Sequence, residues 1–131
     1  MVDLNDLHQL ALALPETFQE EGQLTYAVQT KSKPKSLAWV WKERIDPKKA
    51  RVPNPAVIAI RVRNNLEKEM LIEAEPTKFF TEPHYNGFPA ILVRLAEVDA
   101  SELEALLLNA WRCQAPAALV KAFDQAHGLQ P

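Results

Sequence analysis

Apolar residues recur along this chain at two periods, and the change between them separates helices from strands. Leu4, Leu7, Ala11 and Leu14 share one helical face, with Asp3 as cap and Pro15 as stop, so the spacing predicts a helix over Asp3–Leu14. Thr17–Glu21 is polar and reads as a short strand or an extended loop. From Leu24 to Thr30 the period is two, with Tyr26 and Val28 in phase. Ser36–Lys42 is the strongest early strand. Leu37, Trp39 and Trp41 fall on one face and Ala38 and Val40 on the other. Ala56–Val62 follows as a strand, with Ile58, Ile60 and Val62 facing one way and Val57, Ala59, Arg61 and Arg63 the other. Lys31–Lys35 joins the first two of these strands. Glu43–Pro55, with Pro47, Pro53 and Pro55, is long for a hairpin loop.

Asn64 or Asn65 can cap a second helix through Leu66, Met70, Leu71 and Ala74, stopped by Pro76, and Phe79-Phe80 should close the core. Pro83, Gly87 and Pro89 punctuate a turn in which Asn86-Gly87 tolerates positive φ. Ile91, Val93 and Leu95 alternate with Leu92 and Arg94, as in a strand with one apolar face. Asp99 and Glu102 form a capping box ahead of a helix striped by Leu103, Leu106, Leu107, Ala110 and Trp111. A last helix starts at Pro116, carries Leu119, Val120 and Phe123, and ends at Gly128. The fold class is therefore α+β: two layers, an antiparallel β-sheet packed against helices. The expected order is one helix, three or four strands, a helix, one or two strands, and two helices.

Composition narrows this little. A length of 131 residues, with no repeat or linker, implies one domain spanning residues 1–131. One cysteine, Cys113, allows no internal disulfide and fits a reducing cytosol, so a cytoplasmic monomer is expected. Neither a signal peptide nor an apolar run near the roughly 18 residues of a membrane span is visible, so no membrane partner is expected.

The string Pro83-His84-Tyr85, then Gly87, Pro89 and Leu92-Val93-Arg94-Leu95, resembles the MmcQ/YjbR-like family. Val98-Asp99, Glu102-Leu103, Ala110-Trp111-Arg112 and Ala115-Pro116 continue the pattern, and Ala11–Glu16 resembles the family's opening. The resemblance implies a small α+β domain related to the CyaY-like and secretion-chaperone-like folds, with no established enzymatic activity. For some members it implies DNA binding through paired β-hairpin wings. It marks His84, Tyr85, Gly87, Arg94, Trp111 and Arg112 as pattern residues and assigns them no role.

Enzymatic motifs are absent from the sequence. His8, His84, His127 and Cys113 offer no metal-ligand spacing, no serine sits in a nucleophile elbow, and three glycines build no phosphate loop. No metal or cofactor is expected. Cys113, near a helix C-terminus, reads as a small buried hydrophobe. His84-Tyr85 is the most pointed pair, in a proline-bounded turn, though its simplest account is to fix that turn and cover the sheet edge.

Charge supplies the remaining signal. Between Lys31 and Arg63 ten basic residues face two acidic ones, a surplus of eight positive charges; with a net charge of −2 for the chain, the remainder carries −10. Lys31, Lys33, Lys35, Lys48, Lys49, Arg51, Arg61 and Arg63 are the candidate nucleic-acid contacts, the first six expected as one compact cluster on two adjacent loops, with Arg61 and Arg63 behind it on the sheet. The simpler account is that charged hairpins stay solvated and protect strand edges. Three functions follow: nucleic-acid binding through the basic hairpins, a protein-interaction module using a sheet face or edge, and a small-molecule enzyme or binder near His84 and Tyr85. A continuous basic surface would favour the first, a large apolar patch the second, and a concave pocket at His84 the third.

Overall fold

Helix starts follow capping chemistry. Asp3 caps α1 (Leu4–Leu12): its carboxylate accepts from the Asp6 amide at 3.1 Å, and Asp6 accepts from the Asp3 amide at 2.9 Å. Asn64 caps α2 (Asn65–Ala74) through the Glu67 amide. The predicted Asp99–Glu102 box opens α3 (Ala100–Gln114), with both reciprocal bonds formed. Replacing Asp99 by alanine is expected to cost about 0.5–2 kcal/mol, read as a lower urea midpoint at unchanged slope. α4 (Ala117–Ala126) follows Pro116, and Gly128 sits just past its end at φ +69, where only glycine is unstrained.

The structure is a computed structural model that describes residues 2–20 and 24–128. β1 (Thr17–Gln19), β2 (Thr25–Val28), β3 (Lys35–Glu43), β4 (Val52–Arg61), β5 (Phe79–Phe80) and β6 (Ala90–Arg94) form one antiparallel sheet. Its spatial order is β1-β2-β3-β4-β6-β5. The α+β class and the order of elements are as predicted. The polar segment ending at Glu21 forms β1, while Glu21 itself lies outside the described residues.

Helices cover one face of this sheet. Leu7 and Ala11 of α1 and Leu103, Leu107, Ala110 and Trp111 of α3 pack with Tyr26, Val28, Ile58, Ile60, Ile91 and Val93, joined by half-buried apolar residues of α2 and α4. The opposite face holds a smaller cluster, Trp41, Val57, Ala59, Ala90 and Leu92, roofed by Tyr85 and containing no residue of α1–α4. This less covered face is where the site is built.

Four local expectations are corrected. Leu37 lies in the helix-side core with Ala38 and Val40, not with the tryptophans, because the β2–β3 register shifts by one residue between Ser36 and Ala38. β6 is buried on both faces, since Leu92 belongs to the second cluster. β4 begins at Val52, so the loop before it spans only residues 44–51. Pro53 and Pro55 are tolerated there because β6 pairs only with 57–61, leaving no ladder on that side to break. In α2, Leu66 and Met70 are 65% and 62% exposed, whereas Lys68 is buried. The helix is turned so that Leu71 and Ile72 meet the core and the Lys68 ammonium reaches backbone carbonyls.

Candidate functional site

The turn between β5 and β6 folds over the open face. Glu82 caps a short 3₁₀ turn, Pro83–Tyr85, by accepting from the His84 amide at 3.2 Å. Gly87, at φ +78, continues it; a side chain there would meet nothing within 4 Å, so the glycine serves backbone conformation. Lys68 locks the turn from below, its Nζ donating to the Tyr85 carbonyl at 2.6 Å and the Phe88 carbonyl at 3.0 Å. Desolvation on burial pushes the Lys68 amine below its ordinary value.

This pins Tyr85 against β3. Its hydroxyl accepts from Trp39 Nε1 at 2.9 Å, fixing the half-buried indole. Burial, the largest cause, raises the Tyr85 pKa, so the hydroxyl keeps its proton at neutral pH. Arg51 is drawn to the same corner: its guanidinium donates to the Lys42 carbonyl at 2.8 Å and pairs with Glu82 at 3.2 Å. The result is a hollow of about 440 Å³ walled by Trp39, Lys42, Arg51, His84 and Tyr85, with Leu24 and Pro53 on its apolar rim. A second hollow of about 390 Å³ lies on the other side of Trp39, between Arg61, Phe88 and Glu20. There the Arg61 guanidinium stacks over the Phe88 ring, 4.9 Å from its centroid.

The predicted basic residues are not one cluster. Lys31 and Lys33 lie on the β2–β3 connection and Lys35 opens β3, all exposed; Lys48 and Lys49 are exposed on the β3–β4 connection. Successive hairpin connections lie at opposite ends of the strand they share. At about 3.3 Å per residue, β3 holds the two groups roughly 26 Å apart. Arg51 and Arg61 fall between them, on the open face. Arg63 is exposed past β4, its amide donating to Glu67 Oε1 at 3.0 Å.

The pattern residues divide by role. His84 and Tyr85 line the first hollow. Arg94 covers the Phe80 ring at 4.1 Å and donates to the Pro76 and Thr77 carbonyls. Trp111 is wholly buried. Arg112 pairs with Asp124 at 2.6 Å, and that hydrogen bond holds the Asp124 carboxyl below its usual value. Cys113 is exposed, correcting the expected buried position; desolvation of its sulfur, then the Glu67 carboxylate, raise its thiol pKa. His8, at the edge of α1, meets Tyr26 Oη at 2.8 Å. Among the described residues no His, Cys, Asp or Glu group is placed to hold a metal ion, and no helix is long and apolar enough to cross a membrane.

The fold and this hollow define an α+β domain with a cationic, aromatic pocket on the open face of its sheet. The crystal structure of Deinococcus radiodurans protein DR2400, a DUF419 domain, has a similar fold: TM-score 0.64 at 22% identity, covering 99% of this chain and 91% of that one. Over 71 residues the chain is 46% identical to the uncharacterized proteins Rv2570 of Mycobacterium tuberculosis and Mb2600 of Mycobacterium bovis. Those matches cover 54% of this chain and 55% of each relative, so the chain spans about half the length of the curated relatives it matches. No family model matches.

Proposed function

We propose that this is a non-enzymatic nucleic-acid-binding domain of the MmcQ/YjbR-like type, using the open sheet face strung between its two basic hairpins. The observation that carries the reading is the order of charge along β3: lysines at both ends, and Lys42, Arg51, Arg61 and an oriented Trp39 between. Of the eight candidate cations only Arg51 has an ion-pair partner among the described residues, and the five lysines of the set are exposed to phosphates. The acidic residues concentrate elsewhere, with Glu67, Glu69 and Glu73 on α2 and Glu102 and Glu104 on α3.

The binding is electrostatic and modest, near the non-specific range of about 10⁻⁴ to 10⁻⁶ M at physiological salt. If about four phosphates are neutralised, log K falls against log salt with slope near −3.6 on duplex and about −2.8 on single strand. Fluorescence anisotropy with labelled oligonucleotides tests this. Replacing Lys31, Lys33 and Lys35 with alanine should flatten the slope, and so should replacing Lys48 and Lys49. The two effects should add, because the groups are well separated, while the melting temperature barely moves. No binding at low salt, or indifference to both sets, would defeat the reading. It would leave in front a protein-interaction role, for which the exposed Leu66 and Met70 on α2 are the favouring observation.

A further inference from the structure

We propose that the hollow between Trp39 and Arg51 holds a single nucleotide unit, its base against the Trp39 indole and its phosphate between Lys42 and Arg51, so that the ligand is single-stranded. The inference rests on the open-face reading above and names what that face selects. Several observations converge on it. The volume, about 440 Å³, suits one small planar ligand and cannot admit a paired duplex. The indole is held by its bond to Tyr85, so a stacking surface exists before anything binds. Arg51 is equally preformed, fixed by the Lys42 carbonyl and by Glu82 behind it. Lys42 is exposed and in no ion pair among the described residues.

Among the described residues no carboxylate side chain lines this hollow, Glu82 lying behind Arg51, whereas Glu20 is among the lining of its neighbour across Trp39. The Tyr85 hydroxyl accepts from Trp39 and spends its own proton on no acceptor among the described residues, leaving a donor for a base carbonyl or a phosphate oxygen. The exposed His84 ring completes the rim. The same chemistry would accept a free nucleotide, and the experiment separates the two sources.

The test is a titration of the ¹⁵N-labelled full chain, following the three tryptophan indole N–H signals, with the Trp39 signal assigned through Trp39→Phe. The probes are thymidine 5′-monophosphate, thymidine, inorganic phosphate, an oligothymidylate of about 12 nucleotides, the matching duplex, and polyglutamate as a competitor. The expected result is that the monophosphate and the oligothymidylate shift the Trp39 indole at the lowest concentrations. Thymidine or phosphate alone should need at least about tenfold more, and the duplex should bind several-fold more weakly than the single strand. Lys42→Ala, a surface change that spares folding, should lower the salt slope on single strand by about 0.7. Trp39→Ala should weaken binding about tenfold at unchanged slope, and Trp39→Phe should retain most of it.

Oligonucleotide binding that leaves the Trp39 indole unmoved and ignores both substitutions would overturn the nucleotide pocket and leave the open-face reading standing. Equal binding of duplex and single strand would overturn it too. So would competition by polyglutamate at equal charge, since charge alone would then suffice. Pocket binding of the monophosphate without binding of any oligonucleotide would do the reverse: the pocket would stand as a free-nucleotide site and the nucleic-acid reading would fall.

Discussion

Trp111→Ala is expected to destabilise the protein by about 3–5 kcal/mol, a large share of the roughly 5–15 kcal/mol that holds a domain of this size together. Three contacts set that scale. The indole is fully buried in the helix-side core. Its ring lies 5.0 Å from that of Phe123, so it couples α3 to α4. Its Nε1 donates to the Pro15 carbonyl at 2.9 Å, tying α3 to the exit of α1 across most of the sequence. Alanine would remove the ring, leave a cavity and orphan that carbonyl. Trp111→Phe separates these terms, keeping an aromatic body while losing the hydrogen bond, and should cost less. Urea denaturation of both variants is the measurement. A shift in midpoint at constant slope would mark lost stability rather than a changed unfolded state. An alanine variant as mild as a surface substitution would show that Trp111 does not organise the core.

α3 was legible because its signals are local. A capping box and a stripe at helical spacing lie within one segment, and both hold in the structure. The ladder of β3 with β4 was legible for the same reason, and Ile58, Ile60 and Val57 lie on the faces their alternation predicts. The errors came where pairing across the sheet overrides local pattern. Pro53 and Pro55 argue against a strand until it is known that β6 stops short of them. Leu37 changes face because of a register shift that only β2 can impose. Hydropathy put Leu66 and Met70 inside, but the phase of α2 is set by its contact with the turn at Tyr85–Phe88, many residues later.

The site was legible in parts and not in arrangement. Charge counting found Arg51 and Arg61, period-two spacing found Trp39, and the proline-bounded turn found His84 and Tyr85. What no count supplies is that β3 runs between the two basic loops and drives them apart. Glu82 went unnoticed because its role, capping one turn while holding Arg51, joins residues distant in sequence. Phe88 and Lys42 likewise acquire meaning only beside Arg61 and Arg51.

Lys68 is the residue the sequence hid most completely, and its replacement carries the second large expected effect. A lysine in a helix is ordinarily solvated, yet here its ammonium lies beneath the turn and donates to two carbonyls. Hydrogen bonds to charged groups contribute about 1.5–3 kcal/mol each, and removing the buried charge returns part of that as relieved desolvation. Lys68→Met, which keeps the length of the stem, should therefore cost about 1.5–3 kcal/mol in total. The pH dependence has a definite sign. Burial lowers the folded-state pKa of Lys68, so between that value and the roughly 10.4 of the unfolded chain the unfolded state binds more protons. Stability contributed through this group is thus flat at neutral pH and rises with pH across that alkaline window. The wild-type protein should gain on Lys68→Met there, measured by urea midpoints at stepped pH. Loosening the turn should also slacken Tyr85 and the Trp39 indole that it orients. Single-strand binding should then weaken at unchanged salt slope, because Lys68 meets no phosphate. A variant as stable as wild type, with an identical alkaline profile and unaltered Trp39 indole signal, would show that the turn holds its shape without the ammonium.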